Sequence, residues 1–140
     1  MLGRLTTYLR MCGYDTVYAQ DVDLDSKADL LAFATAENRT VLTRDRELAT
    51  RSDDAIYLES REIKAMLSTL DGVGFELSLP ETPRYCSTCN GSLSGVAVDE
   101  PSPEYAPDPA STDIWQCEEC GQFFWKGSHW DDVAETLSSL

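Results

Sequence analysis

Apolar residues in the first part of the chain recur at two alternating periods. Leu2, Leu5, Leu9 and Cys12 fall on one helical stripe, and Gly13 follows as a natural stop. Thr16, Val17, Tyr18 and Ala19 then read as a short strand. Ser26-Lys27-Ala28-Asp29 has capping-box form and opens a second helix with Leu30, Leu31 and Ala34 turned inward. Residues 40–43 (Thr-Val-Leu-Thr) are a buried-looking strand, followed by a helix over 45–50. A further strand over 55–58 leads into an amphipathic helix over 60–70, ended by Gly72. Strands spaced by helices predict an α/β fold with a parallel sheet and right-handed crossovers over residues 1–75.

Pro80 and Pro83 mark a linker over 76–84, and the pattern changes after it. Residues 85–140 offer short strands, turns and cysteines, then a short C-terminal helix. The stretch 99–113 holds four prolines and no apolar periodicity, which predicts a long mobile loop inside the second module.

Two Cys-x-x-Cys turns, Cys86/Cys89 and Cys117/Cys120, are each followed closely by a glycine, Gly91 and Gly121. Paired turns of this kind converge four thiolates on a tetrahedron, the arrangement Zn²⁺ prefers. A full thiolate shell leaves no position for a reacting water, so the zinc is expected to be structural. Its binding would supply folding free energy to a module with little core of its own. A thiol redox pair fits less well, because neither pair opens a helix in a βαβ setting. Cys12 lies on the apolar stripe and reads as a small core residue. His129, the single histidine, reads as a packing or hydrogen-bonding side chain, and Trp125 and Trp130 as aromatics that pin the small module to its neighbour.

Charge narrows the picture further. The chain carries 25 Asp+Glu against 11 Lys+Arg, a net charge of −14 over 140 residues. We read this as a solvated, salt-adapted (halophilic) surface, since high salt screens repulsion and lets local arginines engage RNA. The N-terminus lacks the apolar run of a signal peptide, and no segment has the length to span a bilayer. The expectation is a soluble, cytoplasmic protein whose paired cysteines stay reduced.

The acidic residues include one arrangement with chemical potential. Asp45 follows a strand end in 41–48 (Val-Leu-Thr-Arg-Asp-Arg-Glu-Leu), at the sheet edge where open α/β folds place their ligands. Asp21, Asp23, Asp25 and Asp29 precede or open a helix, and either Asp25 or Asp29 is expected near Asp45 across one crevice. Such carboxylates hold Mg²⁺ or Mn²⁺ and support phosphodiester hydrolysis. Asp29 as a capping-box member and Asp45 as a helix cap are the structural alternatives.

Four stretches, in order, resemble the Mut-seven-C RNase domain family: MLGRLTTYLRMCGYDTVY, RTVLTRDREL, RYCSTCNGSL and FFWKGSHW. The resemblance spans nearly the whole chain apart from the proline-rich loop. It implies a PIN-like three-layer α/β sandwich with a C-terminal zinc ribbon, and a ribonuclease with an acidic, Mg²⁺- or Mn²⁺-dependent site. By position, Asp45 matches the aspartate of the family's Thr-Arg-Asp motif, and Asp25 or Asp29 the acidic position at a helix start. Arg4, Arg10, Arg44 and Arg46 match basic positions suited to RNA phosphates. Family members usually open with a strand ending in an aspartate just before the Met-Leu-Gly-Arg-Leu motif. This chain is therefore expected to lack that strand and carboxylate, through a late start, a trimmed end or degeneration. The alternative function is a non-catalytic RNA- or protein-binding adaptor that retains the ribbon. A homodimer or protein partner is a further expectation.

Overall fold

The computed structural model describes residues 2–24 and 26–140. Helix α1 (Gly3–Met11) buries Leu5, Tyr8, Leu9 and Met11 along the stripe expected of it. It ends as the sequence indicates. Gly13 takes φ +92°, its N–H donates to the Arg10 carbonyl, and the Tyr14 N–H reaches back to Leu9 O. A glycine in the left-handed region is what this closing turn requires. Cys12 is half-buried beside the core rather than inside it, and burial pushes its thiol up to about 11.

Residues 16–19 do not form the expected strand. The Thr16 N–H donates to Asn90 Oδ1 at 3.0 Å, and the Thr16 carbonyl accepts from Arg10 Nε at 2.9 Å. With both backbone groups satisfied by side chains, no neighbouring strand is needed. A 3₁₀ turn over Ala19–Val22 follows.

Helix α2 (Lys27–Glu37) is capped by Ser26, whose Oγ accepts from the Asp29 N–H at 3.0 Å. Its Ala34, with Leu30 and Leu31 partly buried, packs on Val41 and Leu48. Strand β1 (Val41–Thr43) then leads through Asp45 into α3 (Arg46–Arg51), and β2 (Ala55–Tyr57) returns parallel to β1 with Leu42 opposite Ile56. Helix α4 (Ile63–Gly72) starts later than the sequence suggests and runs through Gly72. Gly74, not Gly72, is its stop residue: it takes φ +106°, and the Phe75 N–H closes on Leu70 O.

Residues 76–84 carry no regular element, yet Leu77 and Leu79 pack on the main core. A separate antiparallel sheet follows, β3 (Leu93–Gly95), β4 (Ile114–Cys117) and β5 (Phe123–Trp125), in the order β3-β4-β5. The proline-rich loop is anchored through Tyr105. Its ring lies edge-on to Phe123 with centroids 6.3 Å apart, and its hydroxyl accepts from the Phe123 N–H.

Helix α5 (Ser128–Ser138) then crosses back to the front half. Val133 is buried in the same cluster as Leu5, Leu9, Leu58, Met66, Leu67 and Leu70, with Trp130 and Leu137 against its edge. The protein is thus mixed α/β, with a small parallel sheet, a separate antiparallel sheet and a main core that draws on both ends of the chain, beside the smaller cluster of Ala34, Val41 and Leu48. Among the described residues no helix is long and apolar enough to cross a membrane.

Candidate metal centre and acidic rim

The two thiolate turns are built alike. In the first, the Asn90 N–H returns to Cys86 O and the Cys86 N–H reaches Gly91 O; in the second, Gly121 N–H returns to Cys117 O and Cys117 N–H reaches Gln122 O. Asn90 (φ +69°) and Gly121 (φ +79°) occupy the same left-handed position one residue after the second cysteine. Gly91 has a different duty from Gly121. A Cβ at Gly91 would lie 2.7 Å from Cys117 Sγ, so the absence of a side chain lets the two turns close on each other.

All four Sγ atoms lie within 4.8 Å of one another, with Cys86–Cys120 at 3.7 Å and Cys89–Cys117 at 3.5 Å. A tetrahedral Zn–S shell with bonds of 2.3 Å places its sulfurs about 3.8 Å apart, so the donor set fits that ion. Backbone amides support it: the Glu119 and Cys120 N–H groups each donate to Cys117 Sγ at 3.4 Å. Burial pushes the Cys86 thiol up to about 12. At Cys117 burial also acts upward, but the N–H groups of Cys120 and Glu119 outweigh it and bring the thiol down to about 7. Four thiolates this close repel, and a bound cation is what makes such a cluster stable.

The first turn is also tied to the front half. Arg10, only 4% exposed, donates through Nε to Thr16 O and through Nη1 to Ser87 O inside the turn. Burial lowers its pKa from the usual arginine value. Asn90 Nδ2 donates to Asp15 Oδ1 at 2.6 Å, and Arg39 grips both Asp15 oxygens at 3.1 and 3.2 Å. Sequence reasoning missed Asp15, Arg39 and Asn90, and the one usable signal was an asparagine filling the turn position that Gly121 fills in the repeat.

The second feature lies at the end of β1. Thr43 Oγ1 accepts from the Asp45 N–H at 3.0 Å, turning the chain. Asp45 Oδ1 then caps α3 by accepting from the N–H groups of Glu47 (3.0 Å) and Leu48 (3.3 Å). Its other oxygen meets Lys27 Nζ at 3.0 Å, and Lys27 also reaches Glu47 Oε2 at 3.0 Å. The Lys27 ammonium, followed by the Leu48 N–H, holds the Asp45 carboxyl below its usual value. Lys27 thus brings the first turns of α2 and α3 together, a link the sequence reading did not anticipate. Asp29 is exposed in the same first turn of α2, while Asp25 lies outside the described residues. Among the described residues, the four cysteines are the one set of three or more metal-type donors that converges.

The remaining basic positions differ in setting. Arg4 and Arg46 are exposed, Arg46 lying over the Tyr57 ring and donating to its hydroxyl at 3.2 Å. Arg44 is half-buried and donates to Glu59 O at 3.4 Å.

A family model for the Mut7-C RNAse domain matches residues 1–137. The chain belongs to that family. No curated protein and no solved structure matches it. Family membership points to a ribonuclease-like role with RNA as the substrate class, and the four-cysteine cluster fits the metal-binding part of the Mut7-C resemblance.

Proposed function

We propose that this Mut7-C protein is a metal-dependent ribonuclease whose front half is a PIN-like sandwich and whose residues 85–140 form a structural zinc ribbon. The family match over residues 1–137 carries the reading. Asp45 supports it locally: its carboxylate stands at the C-terminal end of a parallel strand and is 40% exposed. Mg²⁺ is typically held by one or two carboxylates together with waters and substrate phosphate oxygens, so Asp45 with Asp29 or Asp25 is a sufficient protein contribution. When bound, such an ion supplies an activated water and stabilises charge on the phosphodiester.

The chain's own residues divide the remaining work. Lys27 sits on a flexible stem against Asp45 and is placed to transfer to an arriving phosphate oxygen, which frees the carboxylate for a cation. Arg4, Arg44 and Arg46 offer guanidinium groups to the RNA backbone. Arg10, bound to two carbonyls, serves as a brace between the halves.

Asp45→Asn is the test. Asparagine caps a helix as well as aspartate does, so the fold is kept while the ligand charge is removed. RNA cleavage with Mn²⁺ is expected to fall by at least about a hundredfold; unaltered cleavage would remove Asp45 from the site. One observation favours the adaptor as a second reading: both Asp45 oxygens already have partners within the protein. RNA binding without cleavage by the wild-type chain under any divalent ion supports that reading instead.

A further inference from the structure

The antiparallel sheet, the end of α1 and the start of α5 line an open cleft of about 260 Å³. It opens to solvent, and its size approaches the lower bound of small-molecule sites. Five aromatic side chains, Tyr85, Phe123, Phe124, Trp125 and Trp130, line it together with Met11 and His129. These five aromatic residues are only half-buried, and His129 is exposed.

Two cations stand over rings of this cleft without lining it themselves. Lys126 Nζ lies 5.2 Å from the Trp130 ring centre and 6.0 Å from that of Trp115. The Arg84 guanidinium lies 5.6 Å from the centre of the Tyr85 ring. Both residues are exposed, and among the described residues neither forms a salt bridge. Aromatic faces flanked by unneutralised cations match one chemistry well: a flat, polar-edged ring system attached to a phosphate. That description fits an unpaired nucleotide, whose base stacks and whose phosphate meets the ammonium or guanidinium.

We propose that this cleft takes a single unstacked base of single-stranded RNA, with Lys126 and Arg84 holding the adjoining phosphates. The proposal rests on the reading of the chain as a protein that acts on RNA and gives the ribbon a second foothold, apart from Asp45. A duplex is excluded, because its bases cannot enter without unpairing.

Intrinsic tryptophan fluorescence reads the site directly, since Trp125 and Trp130 line it and Trp115 adjoins it. Zinc-loaded full-length protein is titrated with a short oligouridylate, with no Mg²⁺ or Mn²⁺ added. Saturable quenching is expected, weaker by about tenfold or more in Trp130→Ala. Because Trp130 also touches the core, Lys126→Glu is the second variant. It is expected to weaken binding by about tenfold and to reduce the salt slope by about one. Matched duplex RNA should quench far less. The proposal is overturned if the oligonucleotide causes no quenching, if duplex quenches equally, or if both variants bind as the parent does. Asp45→Asn separates this site from the nuclease reading. Lost cleavage with unchanged quenching supports both, whereas quenching in a chain that never cleaves supports the cleft and removes the nuclease.

Discussion

Asn90 Nδ2 donates to Asp15 Oδ1 at 2.6 Å, while Asn90 Oδ1 accepts from the Thr16 N–H at 3.0 Å. One side chain therefore joins the first thiolate turn to the loop after α1, and its own backbone supplies the left-handed position that shapes the turn. Replacing Asn90 with Gly keeps that backbone but removes both bonds. The expected loss is about 1–3 kcal/mol, measured by urea unfolding of the zinc-loaded protein. Asn90→Ala should lose about 1 kcal/mol more, because a Cβ residue is strained at φ +69°.

Zinc content should follow the geometry of the two turns. Cys86→Ser and Cys117→Ser are each expected to abolish stoichiometric zinc, measured by metal analysis after dialysis, whereas Cys12→Ser retains it. Gly91→Ala is the more demanding case. Its methyl would meet Cys117 Sγ at 2.7 Å, so the cage must open and zinc should exchange faster to a colorimetric chelator. Equal exchange in Gly91→Ala and wild type would mean the turns relax without disturbing the sulfurs.

Acid should weaken the junction through Asp15. Burial alone would raise its carboxyl, but the Asn90 amide and the Arg39 guanidinium outweigh burial and hold it below the usual value. A carboxyl lowered by folding contributes stability that is present above its unfolded pKa, near 3.9, and is lost as pH falls through the folded value. The urea midpoint is expected to drop across that acidic window. Asp15→Asn should flatten the drop, and an unchanged slope would remove Asp15 as a contributor. Because Asp15 is 48% exposed, added salt should shrink the effect.

Much of this was legible in the sequence, for identifiable reasons. Helix α1 and the start of α2 were readable because their apolar spacing, Gly13 and Ser26 are local signals that the fold obeys. Strands β1 and β2 were readable because short, mostly apolar runs between helices have few alternatives. Residues 16–19 were misread because the groups that satisfy Thr16 come from Arg10 and Asn90, the latter far along the chain. The thiolate cluster was legible since each half of it is a local turn. The acidic rim was less so: that Asp45 pairs with Lys27 depends on how α2 and α3 meet, which no local pattern encodes.

Core truncations should behave as one cooperative unit. Leu67→Ala, in fully buried surroundings, is expected to cost about 2–5 kcal/mol, and Val133→Ala, which removes two methyls, about half as much. Circular dichroism for the helices and cobalt-thiolate absorption for the cysteine cage should show coincident melting in each variant. Separate melts would mean that α5 detaches before the front half opens.

Val133 makes the last helix a wall of the first one's shelter. Because Val133 shares their cluster, a cut at Pro80 is expected to leave Leu67 and Leu70 of the severed front open to water. The sulfur cage is tied to the same front half through Arg10 and Asn90, so a cell short of its ion would be expected to hold less of the whole protein, not merely a bare ribbon.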